Sequence, residues 1–192
     1  MASSTDPEFA AKAATLPPKS DVPPPRRSNC SVVDVALRAL LFSATLVAII
    51  LMVTSEQSEF VPEKRPAKFT HSPAFIYFVA AMAVACFYSI ITILVSILVI
   101  FKPTFHKTFL LHFALWDVLM LGLVASATGA AGSVAYIGLK GNSHVRWEKV
   151  CSTYDKYCRY VGSSTALALF AAVVLVLLSM LSTYSLYKRI RD

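Results

Sequence analysis

The chain has 192 residues, 56% of them hydrophobic and only 15% charged, well below the roughly 25% charged residues of a soluble domain. Its net charge of +7 is carried by basic residues scattered at the ends of apolar runs and in polar connections. No aromatic–basic signature accompanies them, so nucleic acid is set aside as a partner. Four apolar stretches use up most of the length, which leaves room for a single membrane domain with short loops.

Residues 1–30 are polar and rich in Ser, Ala and Pro, with Pro17, Pro18, Pro23, Pro24 and Pro25 among them. They contain no apolar run of the kind a signal peptide needs. Ala2 follows Met1, so the N-terminal myristoylation signal is missing. Such a segment buries too little apolar surface to offset its ordering entropy and reads as a disordered cytoplasmic tail. Pro23-Pro24-Pro25-Arg26-Arg27 fits either a polyproline ligand or a plain flexible tail. The sequon Asn29-Cys30-Ser31 sits against the first span and reads as a chance match.

Residues 31–190 read as an all-α integral membrane domain, a four-transmembrane-helix bundle with spans at about 35–55, 75–101, 109–138 and 161–187. Each span supplies the ~20 residues needed to cross ~30 Å of hydrocarbon. Ser31 or Asp34 is the expected N-cap of the first span. Glu56–Ala74, broken by Pro62, Pro66 and Pro73, reads as a polar loop, and Lys102-Pro103 ends the second span. Lys102–Thr108 is a tight connection, and Leu139–Tyr160 is a second polar loop. Four crossings put both termini on one side. Basic residues divide almost evenly between the two sides, but they are densest in the short connection, at Arg26-Arg27 and at Lys188-Arg189-Ile190-Arg191. Both termini are therefore placed in the cytoplasm.

Inside the spans only two formally charged side chains remain, Arg38 in the first and Asp117 in the third. Charge at that depth is costly and marks where specificity or chemistry resides. If both spans run outward, the two share the cytoplasmic half of the bilayer and an Arg fork can reach a carboxylate. Three readings stay open: a structural ion pair, a transport relay, and an Arg that snorkels while the Asp is satisfied separately. His112 is five residues from Asp117, about 140° around the helix, and reads as interfacial. Span three also carries Gly122, Ala125, Ser126, Gly129, Ala130, Gly132 and Ser133, small residues at spacings that let helix backbones approach closely, within the bundle or between subunits.

Cys151 and Cys158 lie seven apart in the second loop; outside the cell they form a local disulfide, and otherwise they are two free thiols. Cys86 reads as a small apolar core residue. No histidines or cysteines share metal-ligand spacing, and no GxSxG, HExxH, P-loop or dinucleotide fingerprint is present. No metal, cofactor or catalytic residue is expected.

Arg38, Asp117, the short central connection and the run Trp147-Glu148-Lys149-Val150-Cys151 with Tyr154-Asp155-Lys156-Tyr157-Cys158-Arg159-Tyr160-Val161-Gly162 resemble the Casparian strip membrane domain protein-like (CASP-like) family of plants over residues 31–190. The resemblance implies a plasma-membrane tetraspan protein, related to the MARVEL group, with cytoplasmic termini and homo- and hetero-oligomers of related tetraspans. Strip-forming members share a signature in the first extracellular loop that Glu56–Ala74 does not match, so the resemblance is to a CASP-like relative. The resulting expectation is a non-enzymatic scaffold that organises a membrane domain and associated cell-wall machinery. The alternatives are a small channel or proton-coupled carrier using Asp117, or an accessory subunit of another complex.

Overall fold

The computed structural model describes residues 27–55, 57–61, 63–101, 106–144 and 147–191. Its four long helices are α1 (Arg27–Val53), α2 (Pro73–Phe101), α3 (His106–Lys140) and α4 (Asp155–Arg191). Each holds a segment long and apolar enough to cross a membrane: Val32–Val53, Pro73–Leu98, Leu111–Lys140 and Asp155–Tyr187. The expected class, an all-α four-span membrane protein, is the one observed.

Several helix ends differ from the hydropathy reading. Helix α1 already begins at Arg27, so neither Ser31 nor Asp34 is an N-cap, and residues 27–30, read as tail, are helical. The rest of that tail, with its proline run, lies outside the described residues. Helix α4 begins at Asp155, not Val161. Its polar first turn is invisible to hydropathy, yet Asp155 favours a helix N-terminus by charge, and Tyr157 packs against the core just below it. Leu139 and Lys140 likewise extend α3. The first polar loop is also ordered: β1 (Gln57–Val61) and β2 (Glu63–Ala67) pair antiparallel, with Gln57 opposite Ala67 and Glu59 opposite Arg65. A 3₁₀ turn at Phe69–His71 leads into α2. Pairing gives backbone groups outside the lipid hydrogen-bond partners that the loop sequence did not announce.

The helices form an up-down-up-down ring in which α1 packs on α2 and α4, and α3 packs on α2 and α4. The interior is built from small and medium side chains. Leu41, Ala44, Ala48 and Met52 line it on α1, Phe78, Met82 and Ala85 on α2, Val124, Ala127 and Ala131 on α3, and Ala168, Ala171, Leu175 and Leu178 on α4. Thr45, Thr92 and Thr128, also buried, return their hydroxyls to carbonyls one turn back in their own helices, the way a polar side chain is tolerated without water. Large apolar residues such as Phe87, Leu98, Leu169 and Val173 point outward. That pattern is expected where the solvent is lipid, as apolar as Leu itself. At the end of the bundle remote from the chain termini, Ser164 on α4 donates to the Ala48 carbonyl of α1 at 2.7 Å.

Candidate functional site

The two intramembrane charges meet. Arg38 Nη1 and Nη2 donate to Asp117 Oδ1 and Oδ2 at 3.4 and 3.3 Å, a two-pronged contact, with the Arg38 and Asp117 side chains 1% and 0% exposed. Helices α1 and α3 stand diagonally across the ring, so the contact bridges helices that are not principal packing neighbours. The long Arg side chain and its planar fork make that reach possible.

The contact belongs to a larger cluster. Arg38 Nε donates to Asp34 Oδ2 at 3.1 Å, one turn earlier on α1. From α2, Tyr88 Oη donates to Asp117 Oδ1 at 2.7 Å and Ser96 Oγ donates to Asp34 Oδ2 at 3.1 Å. The Phe113 ring lies under the guanidinium, 4.9 Å from its centre to Cζ, within cation–π range. The guanidinium is thus held by two carboxylates and an aromatic face, and each carboxylate accepts a further hydroxyl. The sequence offers Asp34 only as a helix cap, and it gives no sign of Tyr88, Ser96 or Phe113 as members of a site. Asp34 and Arg38 stand at the i,i+4 spacing of a helical ion pair, a signal that the N-cap reading of Asp34 displaced. Nothing local announces that hydroxyls on α2 complete a site between α1 and α3. His112 is exposed on α3.

Cys151 and Cys158 form a disulfide with Cα atoms 5.7 Å apart. It joins a 3₁₀ turn at Val150–Ser152 to the first turn of α4, so Cys158 is a helical residue and not a loop one. Cys86 is a free thiol, half-buried on α2. Gly122, Ala125, Ser126, Gly129 and Ser133 are all exposed on one outward stripe of α3. A Cβ built on Gly122 or Gly129 would meet nothing within 4 Å, so their smallness is not needed by the bundle. Ser126 alone reaches a neighbour, sharing a 2.8 Å hydrogen bond with Tyr77 Oη of α2.

The fold and its buried charge cluster define a four-span integral membrane protein braced by an arginine–carboxylate network. The Casparian strip membrane protein domain model matches residues 27–174. CASP-like protein 1D1 of Populus trichocarpa is 60% identical over 173 residues, covering 86% of this chain and 88% of its own. CASP-like protein 1D1 of Vitis vinifera is 56% identical, covering 84% and 81%. CASP-like protein 1D2 of Arabidopsis thaliana is 47% identical over 196 residues, covering 96% and 98%. The chain belongs to the CASP-like family of Casparian strip membrane domain proteins. No solved structure matches it.

Proposed function

We propose that this protein is a non-enzymatic plasma-membrane scaffold that associates laterally, as homo-oligomers and with related tetraspans, to organise a membrane domain and the cell-wall machinery attached to it. Both termini lie in the cytoplasm and the disulfide-bonded loop lies outside, the orientation favoured by the dense basic residues at the chain ends. The observation that carries the reading is the outward stripe of Gly122, Ala125, Ser126, Gly129 and Ser133. In lipid, association comes from close backbone approach between small-residue faces, and here the two glycines of such a face, Gly122 and Gly129, meet nothing inside the chain. The Arg38 cluster supports the same reading from within: it ties three helices into one body that can present a fixed surface.

The deciding experiment is crosslinking of the full-length protein in native-like membranes, with Gly122→Leu and Gly129→Leu made together. Oligomers should collapse to monomer while the thermal unfolding midpoint stays put. Oligomers that persist in this variant remove α3 from the association.

A carrier is the second reading, favoured by one feature: the cluster sets two carboxylates against a single guanidinium, and the Asp34 side chain is 28% exposed. Reconstituted vesicles separate the two. Ion or solute flux that Asp117→Asn abolishes, with oligomers intact, establishes transport; the scaffold reading requires no such flux.

A further inference from the structure

The Cys151–Cys158 disulfide separates two hollows at the end of the bundle opposite the chain termini. One is a cavity of about 760 Å³ with an apolar, aromatic wall that includes Phe75, Val134, Tyr157 and Gly162. The other is a smaller hollow of about 300 Å³ bordered by Lys149, Asp155 and Arg159. Both cysteines line both spaces and both are half-buried, so the bond is within reach of a small reagent. We infer that this disulfide is a thiol-exchange site, opened at the Cys151 sulfur by a low-molecular-weight thiol that carries carboxylates.

The reactive form of a thiol is its anion. From the apolar cavity a thiolate would approach stripped of its hydration, a costly state, so the way in is the charged hollow. Asp155, Lys156 and Arg159 are all exposed there, which keeps this turn in water above the apolar run that begins at Val161. Two cations, Lys149 and Arg159, face one carboxylate, Asp155. Among the described residues neither cation is engaged in an ion pair. Their field draws in an anionic reagent, and their heads are left to meet its carboxylates.

The two sulfurs are not equivalent. Cys158 lies in the first turns of α4 and its N–H bonds the Tyr154 carbonyl. Its Cα–Cβ bond tilts toward the helix N-terminus, where partial positive charge favours an anion. Cys151 sits in a three-residue 3₁₀ turn with no such support. The incoming thiolate therefore bonds to the Cys151 sulfur, and the electron pair of the broken S–S bond leaves on Cys158. A second thiolate attacks the outer sulfur of the mixed disulfide, frees Cys151 as thiolate and departs as the oxidised dimer. Two external thiols are oxidised and one protein disulfide is reduced. The turn is then released from α4. It also rests on α3, where the Cys151 sulfur stands 3.9 Å from a Cβ placed at Gly138, so its release joins the two hollows. This inference goes beyond the scaffold reading and stands whether or not the protein assembles.

The test uses full-length protein in nanodiscs, treated with glutathione, trapped with iodoacetamide and mapped by peptide mass spectrometry. Early samples should carry glutathione on Cys151 and the alkyl group on Cys158, at a rate proportional to thiol concentration. Glutathione should outpace its diethyl ester at equal thiolate concentration. Lys149→Glu with Arg159→Glu should cut that advantage about tenfold while the rate with neutral 2-mercaptoethanol stays within about twofold. If the variant does not fold, the comparison of acid and ester on the wild-type protein decides. Adducts on Cys158, a rate that plateaus at the unfolding rate whatever the thiol concentration, or equal rates for acid and ester overturn the proposal.

Discussion

At the scale of single residues, Arg38 carries one positive charge between two carboxylates, Asp34 and Asp117. Removing a partner from a buried ionic group costs more than the pair contributes, because the remaining charge stays in low dielectric without compensation; about 3–5 kcal/mol is typical. A neutral interhelical hydrogen bond in a membrane is worth only about 0.6 kcal/mol on average, so the charge decides the ranking and the hydrogen bonds do not. Arg38→Leu leaves two carboxylates facing each other. Asp117→Asn keeps an oxygen acceptor in place and leaves Arg38 with Asp34. The expected order of destabilisation is therefore Arg38→Leu greater than Asp117→Asn, with Arg38→Leu/Asp117→Leu less damaged than the sum of its parts. Thermal unfolding in detergent reads all of these. Additive effects of the pair, or the reverse order of the single variants, would show that the cluster does not act as a unit.

At the scale of elements, α3 ends where Gly141 adopts φ +68° and donates its N–H to the Ile137 carbonyl at 2.7 Å, a left-handed helix stop. A Cβ at Gly141 would sit 2.7 Å from the Trp147 carbonyl oxygen, so the strain is steric as well as conformational. Gly141→Ala should cost at least the 1–2 kcal/mol of a left-handed non-glycine residue, seen as a lowered unfolding midpoint, and a neutral result would mean that the loop rearranges freely. The disulfide works on the next element. It closes a sequence separation of seven between the 3₁₀ turn and α4, and chain-entropy arguments give about 2–3 kcal/mol for a loop this short. Reductant should lower the wild-type midpoint accordingly and leave Cys151→Ser/Cys158→Ser unaffected. Both devices lie within the segment read from sequence as one polar loop, Leu139–Tyr160. Hydropathy reports length in lipid and says nothing of a helix whose first turn, from Asp155, is polar.

At the scale of the whole molecule, the Arg38 cluster occupies the end of the bundle near the chain termini, and the disulfide and cavity occupy the other. Under the proposed orientation, an impermeant reagent added to intact cells should label a cysteine placed at Ser143 and spare one placed at Arg191 until the membrane is opened; the opposite pattern inverts the topology. The existence and number of the spans were legible from sequence alone, because a bilayer demands long uninterrupted apolar runs and such runs are local. That Arg38 and Asp117 are the buried charges was legible for the same reason. What sequence could not supply is which way each helix faces. In a soluble bundle the apolar stripe points inward, but here lipid and core are both apolar, so periodicity carries little information about orientation. The outward turn of Gly122, Ala125, Ser126, Gly129 and Ser133, the completion of the charge cluster by Tyr88 and Ser96 from α2, and the space between α3 and α4 beside Gly162 were decided only when four helices packed into a ring, since each depends on residues far apart in the chain meeting across it.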